Sequence, residues 1–230
     1  MKVERGDRIF VSGGSGGIGS AVCRKIAEND LIPIVGYHRN KGKAEALAKK
    51  LGGAASYVDF SNMGGNEAPI AALEPPEQKI GGIILAASPA PCITPLRHTS
   101  AQEMQVQWEV NVLGHWRLCQ FLIDRYMKVN RRGVIVGILS KAMSDNHDKA
   151  SPHMGAYIVA KYGLKGLIHS IDAEYRWLRT ETTSPGYTET PMLDVFDSRF
   201  LEIIRKKQTD GQFATPETVA KIVLEKLLHP

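Results

Sequence analysis

The chain has 230 residues, of which 43% are hydrophobic and 23% charged, a balance that excludes disordered and fibrous chains and is typical of a globular domain. Its 3 cysteines lie far apart without a C-x-x-C motif, and we find neither a signal peptide nor a long apolar stretch, so we expect a cytoplasmic chain without disulfides or a membrane partner. The formal charge of +5 comes from short basic groups without interleaved aromatic residues, which argues against a nucleic-acid partner and suits a small anionic ligand.

Short apolar runs alternate with longer segments of helical period along the chain. In chain order, strands are predicted at 8–12, 31–37, 55–59, 80–87, 133–140 and 178–184. Helices are predicted at 18–29, 44–51, 100–129, 154–177 and from Pro216 onward, with Ser100 and Glu103 as a capping box for the third and Thr215 capping the last. This alternation predicts a doubly wound parallel sheet in a three-layer α/β/α fold, with ligands at the carboxyl ends of the strands.

A glycine cluster lies between the first predicted strand and the first helix. Gly14-x-Gly16-x-x-Gly19 fits the general dinucleotide fingerprint, whereas Gly13-x-x-x-Gly17-x-Gly19 fits a related version. Without side chains, such a turn lets the backbone approach a diphosphate closely; the alternative is a merely flexible turn. In this strand–turn–helix setting we predict a Rossmann-type nucleotide site. Its cofactor contacts come from five residues of the turn: Gly13, Ser15, Gly17, Ile18 and Gly19.

The end of the second predicted strand bears on the choice of cofactor. An acidic residue there binds the ribose 2′-hydroxyl of NAD, whereas a cation accommodates the 2′-phosphate of NADP. The residues are Tyr37-His38-Arg39-Asn40, without a carboxylate. Arg39 is therefore the candidate for the 2′-phosphate, reinforced by His38 or Lys41, and NADP is preferred with NAD as the alternative. In the other interpretation Arg39 is a solvated loop residue.

Tyr157 and Lys161 lie four residues apart, which places a phenol and an ammonium on one face of a helix. A nearby cation favours the phenolate, so Lys161 is expected to lower the pKa of Tyr157 from about 10 and fit it for proton exchange with a carbonyl or alcohol oxygen. Tyr37 and Lys41 show the same spacing, but they lie at the end of the second predicted strand, where the adenosine phosphate of the cofactor is expected. Only Tyr157 follows the fifth predicted strand on a predicted helix, so it is the catalytic candidate. The alternative for Tyr157 is a structural surface residue.

Two polar residues complete the predicted catalytic group. Ser140 ends the fifth predicted strand on the ligand side of the sheet, where its hydroxyl can hydrogen-bond a reacting oxygen. Asn111 falls inside the long predicted helix although asparagine is a mediocre helix former. Its amide is expected to bend the helix or to hold a relay water; the alternative is a buried amide satisfied locally.

In this order, the glycine turn, Asn111, Ser140, Tyr157-x-x-x-Lys161 and the segment 184–192 (Ser-Pro-Gly-Tyr-Thr-Glu-Thr-Pro-Met) resemble the short-chain dehydrogenase/reductase family in its single-domain, 3-oxoacyl-reductase-like form. The resemblance implies that Tyr157 is the acid/base, that Lys161 also binds the nicotinamide ribose, that Ser140 positions the carbonyl and that Asn111 holds a relay water. It implies further cofactor contacts at Asp59 and Phe60 beside the adenine, Ala86 and Ala87 on the cofactor floor, and Gly186, Thr188 and Thr190 at the nicotinamide end.

Several segments depart from the family pattern. The family's Asn-Asn-Ala-Gly after the fourth strand is replaced by Ala86-Ala87-Ser88-Pro89, and the loop 141–156 is longer than usual. His147 and His153 in that loop are more typical of solvated residues than of ligands, so no metal is predicted. The resemblance implies that residues 188–212 form a substrate lid; the alternative is an amphipathic helix packed on the core. The usual C-terminal strand is expected to be missing, which leaves six strands.

The sequence thus predicts one NAD(P)-binding domain over 1–230 that reduces a ketone to a secondary alcohol with NADPH, with Tyr157 as general acid. The alternatives are NAD-dependent oxidation of a secondary alcohol, or a non-catalytic dinucleotide-binding sensor or scaffold. The expected partners are a small carbonyl or alcohol substrate, whose identity the sequence leaves open, and a second copy of the chain. A homodimer is favoured over a tetramer, and Trp108, Trp116 and Trp177 are candidates for its interface or for the core.

Overall fold

Six parallel strands form one sheet in the computed structural model, which describes residues 3–60, 79–144, 149–208 and 210–229. The strands are β1 (Arg8–Ser12), β2 (Ile32–Tyr37), β3 (Ala54–Tyr57), β4 (Ile80–Leu85), β5 (Gly133–Ile138) and β6 (Leu178–Thr183). Their spatial order is β3-β2-β1-β4-β5-β6. The order reverses between β1 and β4, which is the point where sheets of this kind open a ligand crevice. The predicted fold class and its six strands are confirmed.

Seven α-helices connect and flank these strands in the described residues. They are α1 (Gly17–Glu28), α2 (Lys41–Lys50), α3 (Ala101–Trp108), α4 (His115–Leu122), α5 (Gly155–Glu174), α6 (Ser198–Lys206) and α7 (Pro216–Leu228). Helix α2 begins three residues before its predicted start. The long predicted helix is present as contiguous helical segments from Ala101 to Met127, in which π-helical turns at Glu109–Gly114 and Ile123–Met127 alternate with α3 and α4.

Alternation along the strands builds two cores, one on each face of the sheet. Phe10, Ile83 and Ile135 point to the face covered by α4 and α5. Their neighbours Ile9 and Ile84 point to the opposite face, which α1, α2 and α7 cover. Every residue of β4 and β5 is buried, as expected for the central strands of a sheet with helices on both faces.

The helix ends follow the sequence signals. The Ser100 hydroxyl accepts the backbone N–H of Glu103 at 3.1 Å, while the Glu103 carboxylate accepts the N–H of Ser100 at 2.7 Å. Thr215 accepts the N–H of Thr218 at 3.2 Å, and Pro216 occupies the first turn of α7. Both predicted caps are therefore present, because each needs only residues three apart in sequence.

The charged residues of β6 make tertiary contacts with the last helix, α7. The Arg179 guanidinium donates to the carbonyls of Lys226 at 2.7 Å and Leu227 at 2.8 Å, at the end of α7. Glu181 in turn accepts from the Lys226 ammonium at 3.1 Å. A cation at the C-terminal end of a helix satisfies carbonyls that lack intrahelical partners. These charged residues of β6 therefore hold the last helix against the sheet.

Candidate active site

Three glycines of the turn after β1 have no room for a side chain. A Cβ on Gly19 would lie 2.2 Å from the Gly13 carbonyl oxygen, and one on Gly17 would lie 2.5 Å from Cγ2 of Thr190. Gly13 adopts φ +64°, and its Cβ would lie 2.9 Å from Cα of Ala87. The tightest packing thus falls on the Gly13-x-x-x-Gly17-x-Gly19 version of the motif. Gly13 also needs the backbone freedom that glycine alone supplies cheaply.

The remaining residues predicted at the turn and the nicotinamide end lie around these glycines. Ser15 is buried in the turn, and Ile18 packs on the core beneath α1. Thr190, from the segment after β6, packs against Gly17, and its hydroxyl donates to the Thr188 carbonyl at 3.3 Å. The Thr188 hydroxyl donates to the Gly186 carbonyl at 3.0 Å. Two segments about 170 residues apart therefore meet at the start of α1.

Ser12 organises the segment after β4. Its hydroxyl oxygen accepts the backbone N–H of Ala86 at 2.9 Å and that of Ala87 at 3.1 Å. The same oxygen lies 2.9 Å from Nε2 of His115, a fully buried residue of α4. Sequence reasoning missed both residues. The position of Ser12 directly before the first glycine is a signal that could have identified it, whereas the sequence around His115 carries none.

The residues predicted around the adenosine lie at the ends of β2 and β3. Nε2 of His38 is 3.8 Å from Oδ1 of Asp59, and the Tyr57 hydroxyl donates to Oδ2 of Asp59 at 3.4 Å. Arg39 is exposed beside them at the start of α2. Phe60 behaves differently, since its side chain is buried against Gly114 and the His115 ring. The Phe60 ring therefore belongs to the core and offers no open face.

Ser140, Tyr157 and Lys161 converge beyond the carboxyl end of β5. Tyr157 hydrogen-bonds Ser140, whose hydroxyl oxygen also accepts the N–H of Ala142 at 3.1 Å. Lys161 donates from Nζ to the Ile138 carbonyl at 2.9 Å, and Nζ lies 5.5 Å from the centroid of the Tyr157 ring. The structure thus brings together the phenol, hydroxyl and ammonium that the sequence placed on separate elements.

Burial sets the electrostatics of this group. It raises the pKa of Tyr157, and the hydrogen bond to Ser140 opposes that rise. Burial also lowers the pKa of Lys161 to about 7. The sequence predicted a lowered pKa for Tyr157, and that prediction is wrong. Desolvation disfavours the phenolate, and it also weakens the positive charge of Lys161 that was expected to stabilise it.

Asn111 lies in the π-helical turn between α3 and α4 and is fully buried. Its Nδ2 donates to the backbone oxygen of Gln107 at 3.1 Å and to Oε1 of the same residue at 3.0 Å. Its Oδ1 has no hydrogen-bond partner among the described residues. A buried amide oxygen without a partner is costly unless water or a ligand satisfies it. The predicted distortion of the helix is present, and the free oxygen suits a relay water.

An apolar wall faces Tyr157. Met154 and Ile158 of the same helical segment pack with Tyr157, and Phe196 joins them from the segment before α6. Phe196 also stacks on Phe200 with ring centroids 5.6 Å apart, and Tyr187 packs edge-on against Phe196 at the same distance. The segment predicted at 188–212 therefore touches the site through Phe196, which Phe200 and Tyr187 support.

The described residues also bear on the predictions about metal ligands, membrane-spanning helices and the three tryptophans. No cluster of potential metal ligands occurs in the described part of the chain. His153 is exposed, and His147 lies outside the described residues. No helix in the ranges described is long and apolar enough to cross a bilayer. Trp108 and Trp116 are substantially exposed, whereas Trp177 packs against the core beside Tyr175.

These features fit a bound nicotinamide dinucleotide. The glycines let the backbone of the turn pack closely at the start of α1. Helix α1 begins without a side-chain cap, so its first N–H groups are available to a diphosphate. The free Oδ1 of Asn111 lies on the helix that packs against the Tyr157 helix. The fold and site define a dinucleotide-dependent α/β protein with a tyrosine–lysine–serine group at the strand ends.

Comparisons with known proteins agree with this class. A family model for short chain dehydrogenases matches residues 7–199. The 3-oxoacyl-(acyl-carrier-protein) reductase of Chlamydia pneumoniae is 28% identical over 229 residues, covering 95% of this chain and 88% of the relative. The 3beta-hydroxysteroid dehydrogenase 1 of Eggerthella lenta is 26% identical over 196 residues, covering 82% of this chain and 73% of the relative.

A solved structure, a gluconate 5-dehydrogenase from Burkholderia cenocepacia in complex with NADP and tartrate, superposes with a TM-score of 0.84 at 23% identity. The match covers 99% of this chain and 89% of that one, which shows the shared fold. The chain belongs to the short-chain dehydrogenase family and is an NAD(P)-dependent oxidoreductase acting on CH–OH or C=O groups.

Proposed function

We propose that the chain is an NADPH-dependent reductase that converts a ketone to a secondary alcohol. The observation that carries this proposal is the group formed by the buried Tyr157 and Lys161 with the partly buried Ser140, beside an apolar wall at the carboxyl end of β5. The nicotinamide, when bound, supplies the hydride. The roles of the side chains follow from their geometry and charge.

In this mechanism Tyr157 donates its proton to the carbonyl oxygen as the alcohol forms. Ser140, which hydrogen-bonds the phenol in the structure, turns its single hydroxyl proton to that oxygen when the substrate is bound and fixes its position. Lys161 is held on the Ile138 carbonyl and, when protonated, stabilises the phenolate left behind. Asn111 holds on Oδ1 the water that returns a proton toward Lys161 and Tyr157.

The charge state of Tyr157 bears on how each direction of the reaction depends on pH. Burial raises the pKa of the phenol, so Tyr157 stays protonated at neutral pH and is ready to donate. Oxidation of an alcohol needs the phenolate as base, which is scarce under the same conditions. The protonated phenol is the form that reduction uses, and the rate of the alternative NAD-dependent oxidation should rise with pH.

The preference for NADP rests on the end of β2. Arg39 is exposed there and forms no ion pair within the described ranges, so its guanidinium is available to a 2′-phosphate. His38 points toward Asp59 and adds a second donor nearby. Binding of NAD is favoured by a carboxylate at this position, and the residues 37–40 contain none.

The substrate pocket is proposed to accept an apolar group next to the carbonyl, because Met154, Ile158 and Phe196 flank Tyr157. Residues 188–212 form its lid, and 1–230 act as one NAD(P)-binding domain. Relatives named as 3-oxoacyl and 3beta-hydroxysteroid enzymes suggest fatty-acyl and polycyclic ketones as the first compounds to test.

A cytoplasmic location is proposed, in keeping with the buried free thiols of Cys23 and Cys119.

The catalytic assignment is tested with Tyr157→Phe against a ketone panel that includes 3-oxoacyl thioesters and 3-oxosteroids, with NADPH as reductant. We expect the rate to fall at least a hundredfold while NADPH still binds, because general acid catalysis is worth about 10² to 10⁴. Tyr162→Phe is the matched control, since Tyr162 lies on the same helix but is half exposed and donates to the Met143 carbonyl. Equal activity in wild type and Tyr157→Phe would refute the mechanism. NADPH binding without turnover of any ketone or alcohol would favour the sensor or scaffold alternative.

Cofactor choice is tested with Arg39→Ala. Loss of one charge-assisted contact, about 1.5 to 3 kcal/mol, should weaken NADPH binding roughly ten- to a hundredfold and leave NADH binding nearly unchanged. Lys50→Ala, at the exposed far end of α2, controls for a general loss of positive charge. Equal losses for both cofactors would contradict the proposal.

We also propose a homodimer, with a tetramer as the alternative. Val106 and Trp108 of α3 and Val159 and Tyr162 of α5 are exposed apolar or aromatic side chains on two helices that pack together. Such a patch is typical of an interface. Light scattering should give twice the chain mass, and Trp108→Glu should yield a monomer. A monomeric wild type would refute the assembly without affecting the proposed chemistry.

A further inference from the structure

We propose that His115 is a positioning residue. It connects the cofactor cradle, by which we mean the glycine turn after β1 together with Ala86 and Ala87 after β4, to the helix that carries Asn111. It is fully buried, lies far in sequence from the glycine turn, and has a polar partner on each ring nitrogen. The inference rests on the proposed location of the cofactor at that turn. It assigns to His115 a role in holding the backbone that the cofactor contacts.

The hydrogen bonds fix the form of the imidazole. Nδ1 lies 3.1 Å from the backbone oxygen of Asn111. A carbonyl oxygen can only accept, so Nδ1 carries the proton. Nε2 lies 2.9 Å from the Ser12 hydroxyl and, in a neutral ring, is left as an acceptor. His115 is therefore the neutral Nδ1–H tautomer, and burial that lowers its pKa to about 3 keeps it so.

This tautomer orients the Ser12 hydroxyl. Ser12 has one proton and two lone pairs. Its proton goes to Nε2 of His115, since the other acceptor within reach, the Ile84 carbonyl, is farther away at 3.3 Å. Both lone pairs are then directed at the N–H groups of Ala86 and Ala87. The oxygen thus holds two consecutive amides after β4, in the segment where alanines replace the family's asparagines.

The held segment forms one wall of the cofactor cradle. Ala87 is the residue against which Gly13 packs, with a distance of 2.9 Å from an added Cβ to Cα of Ala87. At its other end His115 anchors the carbonyl of Asn111 within the π-helical turn. One imidazole therefore ties β1, the end of β4 and the distorted helix together. A shift at any of them changes the spacing between the glycine turn and the catalytic group.

A double-mutant cycle tests this role, with NADPH affinity measured by fluorescence well below the Tm of each variant. We expect His115→Phe and Ser12→Ala each to weaken NADPH binding about tenfold, and the double variant to be no weaker than either single variant, because one chain of hydrogen bonds is broken in all three. His115→Gln, which keeps an acceptor for Ser12, should retain most of the affinity. Cys119→Ala, one turn further along α4 and equally buried, should lower Tm and leave affinity within twofold.

Additive losses for His115→Phe and Ser12→Ala, or a loss no larger than that of Cys119→Ala, would overturn the inference. If His115→Phe fails to fold, the wild-type imidazole gives an independent answer by ¹⁵N NMR. We expect a protonated Nδ1 and an unprotonated Nε2 throughout pH 5.5 to 8.5. An Nε2–H tautomer or a titrating ring would refute the proposed geometry. A wild type that binds neither NADPH nor NADH would refute the proposed function, while the tautomer and the coupling measured in Tm would still test the role of His115 in holding the backbone.

Discussion

Replacing Lys161 by methionine should stabilise the fold and abolish turnover. The Lys161 ammonium is buried with one carbonyl as its hydrogen-bond partner and no carboxylate beside it in the described structure. Burial lowers its pKa from 10.5 to about 7. The unfolded chain therefore binds more protons between these two pH values, and wild-type stability must rise with pH across that range.

The magnitude follows from the two pKa values of Lys161. One pKa unit corresponds to 1.36 kcal/mol, so the charged side chain costs about 5 kcal/mol of stability near pH 6 and only about 2 kcal/mol at pH 9. Methionine has a similar length and no charge, but it leaves the Ile138 carbonyl without its donor, at a cost of about 2 kcal/mol. The net gain is about 3 kcal/mol at pH 6 and close to zero at pH 9.

Thermal unfolding of wild type and Lys161→Met from pH 6 to 9 measures this difference. For a chain of this size, about 3 kcal/mol corresponds to a rise in Tm of roughly 6 to 12 °C at pH 6. The rise should shrink steadily toward pH 9, and ketone reduction should be lost at every pH. A variant that is less stable than wild type across the whole range would refute the reasoning. So would a stability gain that does not depend on pH.

Three further substitutions have effects that the structure specifies. Gly19→Ala places a Cβ 2.2 Å from the Gly13 carbonyl oxygen, so NADPH affinity should fall at least tenfold and Tm should drop. Arg132→Met removes the bidentate partner, at 2.6 and 3.0 Å, of the buried Asp7 carboxylate, and unfolding by urea should show a loss of about 3 kcal/mol. Ser100→Ala removes the capping box of α3 and should lower the free energy of unfolding by about 1 kcal/mol.

Matched controls distinguish these effects from nonspecific ones. Gly42→Ala, with no atom within 4 Å of the added Cβ, should leave cofactor affinity unchanged and stabilise the chain by about 0.5 to 1 kcal/mol. Arg5→Met breaks only an exposed ion pair with Asp30 and should change stability by less than about 1 kcal/mol. If Arg132→Met behaved like Arg5→Met, the Asp7 pair would contribute no more than a surface contact.

Local patterns in the sequence were sufficient for the fold and for much of the candidate site. Runs of buried apolar residues, the glycine spacing and the Ser100 cap depend on neighbours a few residues apart, and the structure has them all. The tyrosine and lysine four residues apart also lie on one helix face, as the helical period requires. These features need no knowledge of distant contacts.

Tertiary structure decided the properties that depend on distant partners. Ser12 meets His115 across 103 positions, and Arg179 reaches the end of α7 across 47; no local pattern encodes either pair. The pKa of Tyr157 likewise depends on the segments that exclude water from its side chain. The sequence predicted that Lys161 would lower this pKa, whereas burial raises it. The sequence by itself determined which residues could carry the chemistry. Only packing determined their charge states and the contacts that hold them, because desolvation and long-range hydrogen bonds exist only once the chain is folded.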